Sequence, residues 1–135
     1  MTDHEMRVRL AEAMGWTDLD WYSRPGWITG LPPGGRPRDH VPSPLEFDTD
    51  AARLRAWCVG QGFSLQIIIT TDLGPDAAGV RVRVYKPDPD LSRDYSIAES
   101  WVWQQDEPDP LRRERLALCR AVVQALDAVE AGGEP

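Results

Sequence analysis

The chain has 135 residues, a formal net charge of −7, 41% hydrophobic residues and 27% charged residues. This length suits one ordinary core, so we predict a single domain over residues 1–135. The acidic balance argues against a general nucleic-acid binder and against docking on an anionic membrane, because both need a basic surface. The composition also includes six tryptophans, an unusual number for so short an acidic chain.

Signals for targeting, disulfides and metals are weak in this sequence. No run approaches the roughly 20 apolar residues that span a bilayer, and the start of the chain lacks the segments of a signal peptide, so we expect a cytoplasmic protein. Cys58 and Cys119 fall in separate predicted helices and are expected to be buried thiols, with a disulfide or a nucleophile as alternatives. His4 and His40 complete no zinc spacing, so we expect neither a metal nor another cofactor.

The first third of the chain predicts one helix and then a long connection. Thr2 and Glu5 form a capping-box pattern, and the helix that they begin should end near Met14. Residues 16–47 contain six of the prolines and three of the tryptophans. A connection of this length is usually functional or mobile, and residues 27–29 within it are a candidate short edge strand.

The remainder predicts two helices around three strands. The second helix opens at residues 48–50 and ends at Gly60 or Gly62, and the last helix is capped by Asp109 with Pro110 in its first turn. The strands are predicted at residues 63–70, 79–86 and 94–104, with a hairpin loop at 71–78 and a turn at 87–90. The first strand is apolar on both faces, which is typical of a buried strand, whereas valines alternate with polar residues along the second.

The predicted order of elements is therefore α-α-β-β-β-α. Short connections between successive strands favour an antiparallel meander. We predict an α+β fold in which a three-stranded antiparallel sheet, four-stranded if the edge strand joins it, is sandwiched with helices.

Four segments follow one another along the chain in a familiar order. They are Leu-Ala-Glu-Ala-Met-Gly-Trp at residues 10–16, the Trp- and Pro-rich loop, the start of the second helix at 47–52, and residues 116–126. In this order they resemble the phage ABA sandwich domain family, small proteins of tailed phages and prophages, whose closing pattern is Ala-Ile-Cys-Arg-Ala-Ala-Leu. The chain departs from the family at Trp101 and Trp103, where small residues are expected, and in an added acidic stretch at residues 106–109.

The resemblance implies an α/β/α-type sandwich and a phage or prophage origin, which would place the protein in the cytoplasm of a host cell. It implies no catalytic residues, because the family is largely uncharacterised.

The first candidate site lies on the second predicted strand and consists of Arg81, Arg83 and Tyr85. Arginines two residues apart on a strand project the same way, about 7 Å apart, and guanidinium groups suit phosphates and carboxylates. If Trp101 and Trp103 share that face, it combines cationic and aromatic groups, as nucleotide sites do. Two alternatives stay open: an exposed face with ordinary ion pairs that include Glu99, or a core position for both tryptophans.

The second candidate consists of the tryptophans of the long connection, Trp16, Trp21 and Trp27. They can line a ligand lid or a subunit contact, because tryptophan is enriched at interface hot spots. The alternative is that they anchor the loop over a sheet face. Exposed tryptophans and an open sheet edge together favour a homodimer.

Charged clusters are the third candidate. Acidic pairs occur at residues 18–20, 48–50 and 88–90, and paired carboxylates can hold a divalent metal or act as acid and base. No histidine or asparagine accompanies them, and Asp48 is better explained as a helix cap. The basic residues Arg112, Arg113 and Arg115 begin the last helix, where acidic neighbours are expected to neutralise them, with an anion site as the alternative.

These patterns favour a non-enzymatic phage accessory protein that binds a small anionic ligand, in one version by sequestering a nucleotide-type host defence signal. The alternative is a protein–protein interaction module whose partner is a host or phage protein, which the acidic charge favours. A small enzyme is the least favoured class, because the sequence contains no visible nucleophile–base pair or metal spacing.

Overall fold

The computed structural model of the chain describes residues 1–20, 27–70, 78–88 and 93–132. The elements are, in chain order, α1 (Asp3–Ala13), β1 (Thr17–Asp20), β2 (Thr29–Leu31), β3 (Asp39–His40), α2 (Asp48–Gly60), β4 (Ser64–Thr70), β5 (Gly79–Asp88), β6 (Arg93–Trp103) and α3 (Pro110–Gly132). Trp21, most of the predicted hairpin loop and the second half of the predicted turn lie outside the described residues. The chain forms two compact units, Met1–Ser43 and Pro44–Pro135, so the single domain stays a prediction.

The fold is α+β, and its described residues form three helices and two three-stranded antiparallel sheets. The predicted element order was wrong, because the long connection contains the three short strands β1, β2 and β3. The candidate edge strand at residues 27–29 was wrong in bounds and in position. Only its Thr29 belongs to a strand, β2, which is the central strand of this separate sheet. Strands of two to four residues are too short to show a period of two, so only their cross-strand pairing reveals them.

The first unit packs α1 with the small β1–β2–β3 sheet. The Thr2 hydroxyl accepts a hydrogen bond from the Glu5 backbone N–H at 3.1 Å, as the capping pattern predicted. The core of this unit consists of Ala11, Ile28 and Val41, with Val8, Trp16 and Leu19 packed around it. Arg7 on α1 donates to the backbone carbonyls of Val41 and Pro42, so the helix also holds the chain that follows β3.

The second unit is a meander of β4, β5 and β6 with two helices on one face. The central strand β5 pairs antiparallel with both neighbours. α3 packs against β5 and β6, and α2 packs against β4 and α3. The helix-covered face of the sheet is formed by the buried residues Val80, Val82, Val84, Ala98, Ser100 and Val102. This inner face is the core of the unit, together with the buried side of α3.

Polar contacts fix the starts of the two helices in this unit. Asp109 accepts a hydrogen bond from the Leu111 backbone N–H at 3.1 Å, which confirms its predicted capping role. The corresponding prediction for Asp48 was wrong: Phe47 is the N-cap of α2. Asp48 instead forms an ion pair with Arg115 of α3 at 2.6 Å, because the two helices pack side by side and bring the charges together.

The first strand of the main sheet differs from its sequence pattern. Four aliphatic residues on both faces of β4 predicted a buried strand, but none of its seven residues is buried, and Ile69 is 58% exposed. The physical reason is topological, because β4 lies at the edge of the sheet and only one side of it pairs with β5.

Candidate functional site

Pairing between β5 and β6 decides which way the tryptophans of β6 point. Arg81 lies opposite Trp101, Arg83 opposite Glu99 and Gly79 opposite Trp103. Directly opposed residues of an antiparallel pair project to the same side. The face away from the helices therefore carries Arg81, Arg83, Tyr85, Glu99, Trp101 and Trp103, which we call the arginine–tryptophan face. This placement contradicts the alternative in which the two tryptophans occupy the core.

The two tryptophans form an aromatic stack. Their ring centroids are 4.9 Å apart and their planes differ by 7°. Gly79 makes room for this arrangement, since a Cβ atom there would lie 2.6 Å from the Trp103 ring. The indole N–H of Trp101 donates to Glu99 Oε1 at 2.9 Å, which fixes the orientation of that ring. Trp103 therefore covers a glycine, while Trp101 stays 39% exposed.

Arg81 joins the charged and aromatic parts of the face. Its guanidinium carbon lies 5.3 Å from the centroid of the Trp101 ring, within the range of a cation–π contact. Its side chain is only 20% exposed. The guanidinium is thus held against an aromatic surface rather than extended into solvent.

Glu99 lies between the two arginines without fully satisfying either. Its carboxylate oxygens are 3.8 Å from Arg81 Nε and 3.3 Å from Arg83 Nε. Both Nε atoms are inaccessible to solvent and have no hydrogen-bond partner among the described residues. A buried polar atom without a well-formed hydrogen bond destabilises the folded state. The carboxylate therefore occupies an anion position between two arginines with long, imperfect contacts.

Tyr85 and Gln66 extend the face toward β4. The Tyr85 hydroxyl donates to the Gln66 side-chain oxygen at 3.0 Å and accepts a long contact from Arg83 at 3.5 Å. The hydrogen bond to Tyr85 raises the pKa of Arg83, desolvation opposes that shift, and the Glu99 charge adds to it. Arg83 consequently stays charged at any physiological pH.

The five residues proposed from the sequence as a ligand site do come together on one face. Two guanidiniums and one carboxylate leave an excess of one positive charge beside an exposed indole ring. Sequence reasoning missed two contributors, Gly79 and Gln66. Their signal is positional: each lies directly across from a site residue, Trp103 or Arg83, once the strand register is known.

The loop tryptophans do not form one cluster in the described part of the chain. Trp16 packs against the core of the first unit, in agreement with the anchoring alternative. Trp27 is 47% exposed and makes an edge-to-face contact with His40, their ring centroids being 4.4 Å apart. Trp21 lies outside the described residues.

Members of the acidic pairs and of the basic cluster are largely engaged by neighbouring groups. Asp18 binds Arg38, and Asp50 lies 3.8 Å from Arg53. In the basic cluster, Arg112 pairs with Glu107 at 3.3 Å, as the neutralisation prediction required. Asp90 lies outside the described residues. Among those described, no group of three or more His, Cys, Asp or Glu side chains is placed to hold a metal ion.

Arg113 of the same cluster is 5% exposed and donates to the backbone carbonyls of Glu107 and Pro108, each at 2.9 Å. It therefore holds the segment before α3 in place. Arg115 is engaged by Asp48 and by the Leu45 carbonyl. The cluster thus consists of structural contacts that fix the start of α3.

The remaining sulfur and cavity candidates lie under the inner face. Cys58 and Cys119 are buried thiols, as expected, and burial raises the pKa of Cys58 from 9.0 to about 12. A thiol with so high a pKa stays protonated and is a poor nucleophile. A cleft of about 40 Å³ between α2, β4 and α3 has Asp48, Arg55, Ile67 and Leu118 among its lining residues. That volume suits a few water molecules rather than an organic ligand.

Comparison of the chain with protein-family models, with curated proteins and with solved structures finds no match. None of the described helices is both long and apolar enough to cross a membrane.

Proposed function

We propose that this protein is a non-enzymatic binding protein that holds an anionic ligand of the nucleotide class on its arginine–tryptophan face. The observation that carries the proposal is the position of Arg81 against Trp101, with Trp103 stacked beside it. A nucleotide offers a phosphate to a guanidinium and an aromatic base to an indole ring. With the family resemblance, the proposal extends to a phage ABA sandwich protein that sequesters a nucleotide-type host defence signal in the cytoplasm.

Charge on the face supports an anionic ligand. Arg81 and Arg83 together outnumber Glu99 by one positive charge, although the whole chain is acidic. A phosphate would approach the outer nitrogens of both guanidiniums from the solvent side and compete with Glu99 for them. The exposed part of the Trp101 ring would lie beside that phosphate and pack against the base.

Thermal melting against a panel of nucleotides tests this proposal. We expect at least one nucleotide to raise the melting temperature of the natural protein, and the R81A/R83A variant to lose that shift. The matched control is R53A/R55A, which removes two arginines from α2, away from the face. A panel without any stabilising nucleotide, or a shift that both double variants lose equally, contradicts the proposal.

A second experiment sharpens the role of Glu99. If its carboxylate occupies the anion position, E99Q should strengthen binding of the stabilising nucleotide. A like charge about 4 Å away opposes an anion by about 1 kcal/mol in a water-like dielectric, so we expect roughly fivefold tighter binding. Titration calorimetry of E99Q and the natural protein measures this difference. Weaker binding by E99Q would mean that Glu99 contacts the ligand favourably instead.

A second candidate function is protein–protein interaction through the first unit. The observation that favours it is Trp27, a large aromatic side chain that is 47% exposed and held by His40. Interface hot spots are enriched in tryptophan. Affinity capture from host lysate should recover a defined protein that W27A loses and F47A retains, because Phe47 is an exposed aromatic residue in the other unit. Capture that both variants retain argues against this role for Trp27.

A further inference from the structure

β4 is an uncharged and largely aliphatic strand at the edge of the sheet. Nothing in the described part of the chain pairs with its outer edge. β4 pairs with β5 on one side, and none of the described strands lies on the other. Its sequence, Ser-Leu-Gln-Ile-Ile-Ile-Thr, contains neither a charged residue nor a proline. An exposed strand edge presents unpaired backbone N–H and C=O groups that readily pair with another strand.

The opposite edge of the same sheet shows how such an edge is normally protected. β6 contains a charged residue, Glu99, and charges on an edge strand discourage pairing. Burial along β6 also alternates, with Ala98, Ser100 and Val102 buried. β4 contains no charged residue, and its aliphatic residues stay half-buried or exposed.

We propose that β4 pairs with the β4 strand of a second copy of this chain, in antiparallel register about Ile67, to form a continuous six-stranded sheet. An edge with which no described strand pairs calls for an extended strand as occupant. A second β4 fits without like-charge repulsion even though each chain carries a net charge of −7. This register places Leu65 of each copy opposite Ile69 of the other. Ile69, which is 58% exposed, thereby gains an aliphatic neighbour in each of the two copies.

This pairing has a geometric consequence for the proposed ligand site. Opposed residues of antiparallel strands project to the same side, so the two-fold axis runs through the sheet from face to face. The arginine–tryptophan faces of both copies then lie on one side of the continuous sheet, and the helices of both second units lie on the other. The inference itself does not depend on nucleotide binding.

Mass measurement by light scattering across a concentration series tests the pairing in the full chain. We expect twice the 15.2 kDa monomer mass for the natural protein. I69K should shift it to the monomer mass, because it places an ammonium group at the strand junction. V59K is the matched control: Val59 is a 65% exposed aliphatic residue on α2, so this variant should stay dimeric.

The register is tested by mixing two variants. L65E alone should also be monomeric, whereas L65E mixed with I69K should restore the dimer mass, because the carboxylate introduced in one chain would then face the ammonium group introduced in the other. Circular dichroism and melting curves of both variants establish that each is folded before mixing. A monomeric natural protein, a dimer that survives I69K, or folded variants that do not associate when mixed would each overturn the proposal.

Discussion

The two faces of the β4–β5–β6 sheet are built from alternate residues of the same strands, yet they are held in different ways. On the inner face of β5, Val80, Val82 and Val84 are at most 1% exposed and lie beneath helices. On the outer face, the side chains of Arg81 and Arg83 are 20% and 33% exposed. Their Nε atoms lie 3.8 and 3.3 Å from the carboxylate oxygens of Glu99. The inner face therefore stabilises the fold, which leaves the outer face available for ligand-binding groups.

At neutral pH, the largest expected loss of stability comes from the inner face. Val82 is fully buried, so V82A removes two methyl groups from a packed core and should lower the free energy of unfolding by about 2 kcal/mol. Denaturant unfolding measures this loss. V59A makes the same change at a 65% exposed helix position and should change stability by less than about 0.5 kcal/mol. Equal losses in the two variants would contradict the distinction between inner and outer positions.

A substitution at Gly79 should disrupt the stack of Trp101 and Trp103 on the outer face. The added Cβ of G79A would lie 2.6 Å from the Trp103 ring, so the ring must move, and we expect the free energy of unfolding to fall by about 1–2 kcal/mol. The near-ultraviolet circular dichroism of the stacked tryptophans should weaken at the same time. G60A is the control, because a Cβ at Gly60 meets open space. An unchanged spectrum in G79A would argue against the stack.

Cys58 of α2, which is buried beneath the inner face, should make the free energy of unfolding depend on pH in the alkaline range. Its folded-state pKa of about 12 exceeds the ordinary value of 9.0, so the folded protein retains the thiol proton where the unfolded chain loses it. This contribution is complete below pH 9 and is lost as the pH rises from 9 to 12, by up to about 1.4 kcal/mol per pH unit. The stability difference between the natural protein and C58A should therefore narrow above pH 9. A constant difference would rule out this titration.

The smallest effect on stability is expected at Arg83. Its ion pair with Glu99 at 3.3 Å is partly exposed, and such pairs contribute little to stability. R83A should therefore melt close to the natural protein while it weakens nucleotide binding. Melting curves recorded with and without nucleotide separate these two quantities. A loss comparable to that of V82A would make Arg83 a structural residue.

Several elements could be predicted because local chemistry specifies them. The Thr2 hydroxyl caps α1, and Asp109 with Pro110 begins α3. Thr2 and Asp109 accept hydrogen bonds from N–H groups at the helix start, and Pro110 has no backbone N–H that would need a partner there. The alternation of valine with polar residues predicted β5 and its buried face. The strands of the long connection could not be predicted, because they have only two to four residues. They form through pairing between residues that are distant in sequence, such as Thr17 and Leu31.

By itself, the sequence determined which residues the candidate face can contain, because Arg81, Arg83 and Tyr85 share one parity on an alternating strand. It did not determine the face of Trp101 and Trp103, since β6 has apolar residues on both parities. Tertiary structure decided this. The side chains of β6 that lie opposite the inner valines of β5 and fit beneath the helices are smaller than tryptophan: Val102, Ser100 and Ala98. Tertiary structure also decided the burial of β4. Its aliphatic residues on both faces predicted a buried strand, but burial depends on neighbouring elements, and β4 lies at the edge of the sheet.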